Sequence, residues 1–252
     1  MKAAERQIRI RELLEEREFV DLETFCRELR GSESTVRRDL VLLERQRVLK
    51  RVHGGALSVQ PPRGHLLDFD WQRRRQSDEK RRIGARAAAL IEDDQTVILD
   101  GGSTVAAVAE HLADRSLHAI TNSLAIAQVL RDSRDIEVTL TGGYLFPRLE
   151  VLLGPLCEHM LASVAADVLV MGIGGATAAG FTNNNTLLVG SERKMIEVSR
   201  KVIIVADSSK FGRAAMVPLA PLDIADVVVS DSRLAPDHRQ MLEAASIEVV
   251  LA

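Results

Sequence analysis

The sequence has few of the residues that build disulfide frameworks or metal sites. Cys26 and Cys157 are its only cysteines, and neither has a cysteine or histidine nearby at metal-ligand spacing. We therefore expect two buried thiols of a reduced, cytoplasmic protein that uses no metal and no cofactor. No apolar run reaches the about eighteen residues that a membrane span requires. No signal peptide is expected either, since charge begins at Lys2.

A net charge of −3 conceals an uneven distribution of charge along the chain. Residues 1–82 carry 20 basic and 15 acidic side chains, whereas the remaining 170 residues carry 13 and 21. The first part therefore has a net charge of +5 and the second a net charge of −8. This arrangement suits a protein that presents one basic surface to nucleic acid and keeps an acidic body away from it.

A short cationic helix is predicted within the basic part. Ser32 can cap it, because its hydroxyl can accept a hydrogen bond from a free amide of the first turn. Val36, Leu40 and Leu43 recur at the spacing of one apolar stripe. The other side carries small polar and basic residues, namely Ser34, Thr35, Arg37 and Arg38. Such a helix suits the major groove of DNA, where an arginine can bind guanine through two hydrogen bonds.

The neighbouring segments complete the pattern of a winged helix-turn-helix. Apolar spacing predicts two helices upstream, one over Ile10, Leu13 and Leu14 and one over Val20, Leu22, Phe25, Cys26 and Leu29. Gly31 suits the tight turn that follows the second of these helices. Downstream, the segment VLKRVHGGAL alternates apolar and basic residues and is predicted to form a hairpin that turns at Gly54 and Gly55.

Basic residues concentrate in the third helix and in this hairpin. Residues 37–51 contain six lysines or arginines against two acids. A solvated helix face is the alternative interpretation of such a run, but the order of three helices and a basic wing favours DNA binding. The predicted DNA-binding residues are Ser32, Ser34, Thr35, Arg37, Arg38, Arg47, Lys50, Arg51 and His53.

A segment with the composition of a linker follows the wing. Pro61, Pro62 and Gly64 predict a semi-rigid connection. Its arginines, Arg73–Arg75, can contact DNA phosphates or be solvated, and Trp71 is expected to pack on the body rather than on a base. The predicted domains are a DNA-binding domain over residues 1–57, a linker over residues 58–76 and an effector-binding body over residues 77–252.

In the body, short apolar runs alternate with amphipathic helical stretches. The predicted strands are Thr96–Leu99, His118–Ile120, Ile136–Leu140, Val168–Met171, Val202–Val205 and Val227–Val229. The predicted helices are Lys80–Ile91, Thr104–Leu112, Ser123–Arg131, Thr186–Ser199 and Pro236–Ala244. Such alternation predicts an α/β domain with a largely parallel sheet, in which ligands bind at the carboxyl ends of the strands.

Small and polar residues follow several of the predicted strands, as LDGGST, TNS, TGG, MGIGGAT and VADSSKFGR. Glycines let backbone amides approach an oxyanion, and hydroxyls at a helix start can donate to it, which together suit a phosphate. Ordinary strand-to-helix turns, and a surface pair of Asp207 with Lys210, are the alternative interpretations. The predicted effector-binding residues are Asp100, Gly101, Gly102, Ser103, Thr104, Thr121, Asn122, Ser123, Gly142, Gly143, Gly174, Asp207 and Lys210.

On these motifs the chain resembles the DeoR family of bacterial transcriptional regulators along nearly its full length. The motifs are STVRRDL, RVHGGA, DGGST, TNS, TGG, Gly154-Pro155 and DSSKFG. The resemblance implies a winged helix-turn-helix followed by an effector domain similar in fold to ribose-5-phosphate isomerases and CoA transferases. It also implies a homo-oligomeric repressor of carbohydrate metabolism genes that binds double-stranded operator DNA and responds to a phosphorylated sugar or similar metabolite.

One segment departs from that resemblance. Family members often carry a glutamate and, four residues later, a lysine in the helix before the last ligand strand, and the corresponding residues here are Leu188 and Glu192. The missing lysine implies a different effector, or a ligand charge met by Arg193, Lys194 or Lys210. Asn183–Asn185, just ahead of this helix, could bind sugar hydroxyls or form a turn.

Two other classes of function compete with regulation. A sugar-phosphate isomerase fused to a DNA-binding domain would need a general base beside a lysine-containing glycine loop, and Gly172, Gly174 and Gly175 have no lysine beside them. Fold similarity alone supplies no activity, so we expect no enzyme. A purely architectural DNA-binding protein would gain nothing from glycines and hydroxyls gathered on one edge of a sheet.

Overall fold

The computed structural model describes residues 3–16, 19–46, 48–52, 54–58, 69–74 and 76–252. Arg47, His53, the segment 59–68 and Arg75 lie outside these ranges, as does the side chain of Trp71. The chain divides into two compact units, Met1–Leu66 and Leu67–Ala252.

Among its described residues, the N-terminal unit has three helices and a small antiparallel sheet. Its elements are α1 (Ala3–Glu16), β1 (Phe19–Asp21), α2 (Leu22–Leu29), α3 (Glu33–Arg45), β2 (Leu49–Val52) and β3 (Gly55–Ser58). The sheet has the order β1-β3-β2, and the predicted hairpin forms its β2–β3 part. One apolar cluster joins the three helices to the sheet; it includes Ile10, Leu13, Val20, Phe25, Val36, Leu40, Leu43 and Leu49.

Two local predictions for this unit are corrected by the structure, and a third is confirmed. Val20 belongs to β1 and pairs with Ala56, because Asp21 caps α2 by accepting a hydrogen bond from the Thr24 amide at 2.7 Å. The turn after α2 includes Gly31, as predicted, and its left-handed residue is Arg30, with φ of 47°. Gly55 pairs with Val52 and therefore belongs to β3, so the turn is not centred on Gly54 and Gly55.

The second unit contains seven further helices and twelve strands among its described residues. The helices are α4 (Phe69–Arg74), α5 (Ser77–Ala88), α6 (Ser103–Glu110), α7 (Leu124–Leu130), α8 (Pro155–Leu161), α9 (Thr186–Glu197) and α10 (Pro236–Ala244). The strands are β4 (Thr96–Leu99), β5 (Leu117–Thr121), β6 (Ile136–Leu140), β7 (Tyr144–Phe146), β8 (Val151–Leu153), β9 (Ala166–Met171), β10 (Gly175–Thr177), β11 (Gly180–Asn183), β12 (Ser199–Val205), β13 (Val217–Ala220), β14 (Val227–Ser230) and β15 (Glu248–Leu251). Short 3-10 turns cover Ser208–Lys210 and Leu222–Ile224.

Seven of these strands form one sheet in the order β15-β14-β12-β9-β4-β5-β6, and every neighbouring pair is parallel. All six predicted strands lie in this sheet. The predicted fold class, an N-terminal winged helix-turn-helix followed by an α/β domain with a largely parallel sheet, is confirmed. Smaller antiparallel groups, β7–β8 and β10–β11–β13, are additional to the prediction.

The parallel sheet separates two apolar cores, because successive strand residues point to opposite faces. Val97 and Leu99 of β4 contribute to a core shared with α5, α6 and α7, which we call the α6 core. Ile98 points the other way, into a core shared with α8, α9 and α10, which we call the α9 core. Each face of the sheet is therefore covered by helices, as buried parallel strands require.

The described residues of the segment predicted as a linker include the helix α4. In α4, Phe69 is buried in the α6 core, and its amide donates to the Arg148 carbonyl oxygen at 2.8 Å. This end of the predicted linker is therefore part of the body. Among the described residues, no helix combines the length and the apolar character that crossing a membrane requires.

Candidate functional site

The third helix of the N-terminal unit presents a polar and basic face. Ser32 caps it as predicted, accepting a hydrogen bond from the Thr35 amide at 3.4 Å. Val36, Leu40 and Leu43 are buried, whereas Ser34, Arg37 and Arg38 are exposed and Thr35 is half-buried. Four predicted DNA-binding residues thus lie in the N-terminal part of α3 and a fifth caps it, at the end that a helix-turn-helix places in the major groove.

The two exposed arginines of α3 differ in their partners. Arg37 forms an ion pair with Glu33 one turn earlier, at 2.6 Å. Arg38 has no hydrogen bond or ion pair within the described part of the chain. An arginine without partners gives up no existing contact when it binds a base, so Arg38 is the better placed of the two.

Buried and paired charges fix α3 in the unit. Asp39 is buried and forms an ion pair with Arg6 of α1 at 2.7 Å. Arg51 of β2 donates two hydrogen bonds to the Glu44 carboxylate. Its backbone amide lies 2.9 Å from Oε1, and its side-chain Nε lies 2.7 Å from Oε2. Arg51 therefore connects the wing to α3, while Lys50 beside it is exposed. The other two predicted DNA-binding residues, Arg47 and His53, lie outside the described residues.

The loops predicted to bind the effector meet at the carboxyl edge of the parallel sheet. β9, β4, β5 and β6 are neighbours in that sheet, and Gly172, Asp100, Asn122 and Thr141 directly follow them. Leu99 pairs with both Thr121 and Val170, so Asp100 lies between the loops that follow β5 and β9. The topology therefore brings these loops together, and effector binding by them stays a prediction.

Three of the predicted effector glycines pack against neighbouring segments. A Cβ on Gly101 would lie 2.1 Å from Cγ1 of Val151. A Cβ on Gly143 would lie 2.6 Å from the Leu153 carbonyl oxygen, and one on Gly174 would lie 3.0 Å from the Cα of Asn183. The absence of a side chain at these positions is explained by packing, without a ligand.

Other glycines of the same edge face open space. A Cβ on Gly102, Gly142 or Gly172 would meet no atom within 4 Å. Gly142 also has φ of 72°, a conformation that favours glycine. These three positions leave room for a ligand to approach the backbone. The sequence prediction includes Gly102 and Gly142. It omits Gly172, because no hydroxyl or charged residue stands beside Gly172 in the sequence.

Several predicted hydroxyl and carboxyl ligands already serve the fold. The Thr121 hydroxyl donates to the Leu99 carbonyl oxygen at 2.6 Å and accepts from the Ser123 amide at 3.0 Å. The Ser123 hydroxyl caps α7, accepting from the Ile126 amide at 3.3 Å. Asp207 accepts from the Ser209 amide at 3.0 Å and so caps the 3-10 turn that ends at Lys210, a half-buried residue.

A buried lysine that the sequence prediction omits stands behind the start of α6. Lys80 of α5 is buried, and its ammonium donates to the Ser103 hydroxyl at 2.9 Å and to the Gln72 carbonyl oxygen. Ser103 and Thr104, in the first turn of α6, are buried as well. The charge of Lys80 therefore adds to the positive potential of this helix start. Helical spacing in α5 cannot reveal it, because a lysine in an exposed turn has the same pattern.

The asparagines and cations near α9 are used by the fold. Asn185 caps α9, accepting from the Leu187 amide at 2.8 Å, and Asn183 donates to the Glu192 carboxylate. Arg193 donates to carbonyl oxygens of β13, at 2.8 and 2.9 Å, and Lys194 pairs with Glu197. Arg193 and Lys194 are therefore poor candidates for a ligand charge.

Two buried carboxyl groups lie at the centre of the edge. Burial raises the pKa of Asp100 to about 7, although the amides of Gly101 and Gly172 donate to it. Burial, and next the charge of Asp100, raise the pKa of Glu192 well above its ordinary value, while Asn183 opposes the shift. Within the described ranges, no three His, Cys, Asp or Glu side chains come together in a way that could hold a metal ion.

Comparison with known proteins agrees with this two-part construction. The DeoR-like helix-turn-helix domain matches residues 6–61, and the DeoR C terminal sensor domain matches residues 75–232. The chain is 34% identical over 252 residues to the HTH-type transcriptional regulator GlpR of Haloferax volcanii, covering 99% of this chain and 98% of that protein. It is 33% identical over 254 residues to the glycerol-3-phosphate regulon repressor of Escherichia coli K12, covering 96% and 99%.

The solved structures that it resembles are more distant. Ribose 5 phosphate isomerase A from Neisseria gonorrhoeae matches 52% of each chain at 16% identity, with a TM-score of 0.38. A likeness of this size supports no functional argument. The match to both family domains and to regulators over nearly their whole length does support a functional argument. It also confirms the resemblance drawn from the motifs. The chain belongs to the DeoR family of transcriptional regulators.

Proposed function

We propose that this protein is a cytoplasmic, homo-oligomeric repressor of carbohydrate metabolism genes that binds operator DNA and is controlled by a phosphorylated sugar or similar metabolite. The observation that carries the proposal is the pairing, in one chain, of an exposed arginine face on α3 with ligand-accessible backbone at the carboxyl edge of the sheet. Family membership over both units supports it. The name of the Escherichia coli relative, a glycerol-3-phosphate regulon repressor, supports a phosphorylated effector.

The start of α6 is the proposed phosphate site. The first amides of a helix have no partner within the helix, and the helix dipole places partial positive charge there. Gly102 is open to a ligand, Ser103 and Thr104 bring hydroxyls, and Lys80 adds a full charge through its contact with Ser103. Asp100 and Asn122 would then meet the carbon skeleton and its substituents.

Selection and thermal unfolding together test this function. Genomic DNA fragments that the full-length protein retains at moderate salt should contain a shared sequence, and the neighbouring genes should encode carbohydrate enzymes. A phosphorylated sugar that binds only the native state should raise the melting temperature, and the increase should grow with its concentration. Retention of fragments without any shared sequence, together with no stabilisation by any sugar phosphate, would reject the proposal.

Isomerase activity is the alternative to the proposed regulatory function, and an assay of turnover tests it directly. The raised pKa of Asp100 is a property that general bases share, so turnover should be measured rather than assumed absent. We propose that the purified protein interconverts no pentose or hexose phosphate above the rate of a blank reaction. Interconversion that Asp100→Asn removes would establish the enzyme instead.

A further inference from the structure

Asp100 and Asn122 point to the side of the sheet that α9 covers. Ile98 and Ile120 of the paired strands β4 and β5 contribute to the α9 core. Side chains alternate along a strand, so the residues two positions further on project to the same side. Asp100 is 2% exposed and Asn122 is 1% exposed. Both are therefore buried polar groups directly after their strands, on the side of the α9 core.

Glu192, in α9, lies on the side of that helix that faces the sheet, near Asp100. In α9, Val189 and Met195 lie three residues before and after Glu192, and both belong to the α9 core. Residues three apart share a helix face, so Glu192 points toward the sheet and is only 1% exposed. Asn183 donates to its Oε1 atom, and the charge of Asp100 acts on it.

Three buried acceptor oxygens of this group have no donor among the described residues. They are Oδ1 of Asp100, Oδ1 of Asn122 and Oε2 of Glu192. Oδ1 of Asn122 lies 3.5 Å from the position that a Cβ of Gly101 would occupy, directly beside Asp100. A buried acceptor without a donor costs stability, and a buried carboxylate costs more. The site therefore has an excess of acceptors, and its two carboxyl groups add negative charge only when they are ionised.

We propose that this site binds a primary ammonium group of the effector, so that the sensed molecule is an aminated sugar phosphate or amino alcohol phosphate rather than a neutral one. The inference rests on the proposed function, which supplies the phosphate at the start of α6. An ammonium group has three N–H donors and one positive charge. It matches three acceptor oxygens, of which two belong to carboxyl groups.

Competing occupants are less suited to this group. A sugar hydroxyl supplies one donor and no charge, and it would leave two of the three acceptors without donors. A divalent cation prefers six or more oxygen ligands, or three or more carboxylate and imidazole ligands, and the described residues bring only two carboxyl groups here. An ammonium group carried by a phosphorylated molecule needs no such shell.

Matched ligand pairs test the inference with the full-length protein. Glucosamine 6-phosphate, galactosamine 6-phosphate and phosphoethanolamine are titrated by calorimetry against glucose 6-phosphate, galactose 6-phosphate and ethylene glycol phosphate. We expect at least one amine to bind at least tenfold more tightly than its hydroxyl counterpart. Glu192→Gln should remove that preference, so that the amine and its hydroxyl counterpart bind with similar affinity. Glu197→Gln, an exposed carboxylate on the same helix, is the control that keeps the preference.

The outcomes separate the inference from the proposed function. If sugar phosphates bind but no amine exceeds its counterpart, or if Glu192→Gln keeps the preference, the ammonium site is wrong and the sensor function stands. If magnesium or calcium chloride alone raises the melting temperature and Glu192→Gln removes this effect, the site is a metal site and the inference is overturned. If no phosphorylated compound of the six binds, the proposed phosphate sensor itself fails, and the inference fails with it.

Discussion

At the scale of single residues, neighbouring side chains of one type have different roles. Arg37 and Arg38 are adjacent and exposed, but Glu33 holds only Arg37. Surface ion pairs of this kind are weak, about 0.3 to 0.5 kcal/mol. The ion pair with Glu33 therefore reduces, but does not prevent, the binding of Arg37 to DNA. The sequence places both arginines on the correct face of α3 and cannot rank them.

Arg38→Ala should weaken specific operator binding by about 1 to 3 kcal/mol, because an arginine that contacts a base edge contributes that much. Arg37→Ala should lose less free energy of operator binding, since Arg37 must give up part of its ion pair with Glu33 to bind DNA. Fluorescence anisotropy with a selected operator fragment measures both variants. Arg134→Ala, an exposed arginine of the body, is the control. Operator affinity that neither variant changes would remove α3 from the DNA-binding surface.

The buried carboxyl pair makes a prediction about pH. The folded pKa of Asp100 is raised to about 7 from 3.8, so between these values the folded protein holds more protons than the unfolded chain. The free energy of unfolding therefore decreases as pH rises from about 4 through about 7. Asp100→Asn should reduce this dependence and stabilise the ligand-free protein at pH 8, by about 1 to 3 kcal/mol.

Thermal unfolding of both proteins between pH 5 and pH 8 measures the difference in slope. Asp132→Asn, which alters an exposed carboxylate, should behave as the wild type. A variant with the same pH dependence as the wild type, and no gain at pH 8, would show that Asp100 titrates as an ordinary aspartate in the folded protein.

At the scale of elements, the parallel strands could be predicted from sequence and the small hairpins could not. The strands of the main sheet are buried on both faces, so they stand out as apolar runs. By contrast β7, β8 and β10 have three residues each, and β10 is Gly-Ala-Thr, which has no periodicity to detect. The edge of the sheet was predictable for the same reason as the strands, because each loop directly follows one of them.

Long-range contacts explain what the sequence could not indicate about the site. Gly101 and Gly143 resemble ligand-loop glycines in sequence, but their neighbours across the fold, Val151 and the Leu153 carbonyl, account for them. Lys80 and Glu192 lie in helices whose patterns permit exposure, and only the packing of those helices shows that both are buried. Chemistry that depends on such contacts requires the structure.

The pair of helices α5 and α6 gives a prediction at this scale. A Cβ on Gly84 would lie 2.5 Å from the Ala107 carbonyl oxygen, so glycine allows the close approach that brings Lys80, one turn earlier, to Ser103. Gly84→Ala should lower the free energy of unfolding by about 1 to 3 kcal/mol through overpacking. Chemical denaturation measures this loss. Ala85→Ser, on the exposed side of α5, should change it by less than about 0.5 kcal/mol; equal effects would contradict the close contact.

At the scale of the whole molecule, charge is divided between the two parts of the chain. Residues 1–82 have a net charge of +5 and the remaining residues a net charge of −8. A DNA duplex attracts the first and repels the second. The unequal charge therefore favours contact of the duplex with residues in the first third of the chain, and it makes the affinity for DNA depend on salt concentration.

Lys50 of the wing tests the electrostatic part of this account. It is exposed and has no ion pair within the described residues, which suits a phosphate contact. Lys50→Ala should weaken binding to specific and to nonspecific DNA to a similar degree. It should also reduce the slope of log affinity against log salt concentration by about 1. Titrations at several salt concentrations give the slope. A loss confined to the operator sequence would instead assign Lys50 to base recognition.

We propose control of DNA binding by the N-terminal unit through a ligand at the carboxyl edge of the sheet. Its most direct test is the operator Kd of the full-length protein, measured with and without each phosphorylated compound that raises the melting temperature. We expect at least one compound to change the Kd tenfold or more, in either direction, and Asp100→Asn to abolish the change. A compound that stabilises the protein but leaves the operator Kd unchanged, with no other compound altering it, would contradict the claim.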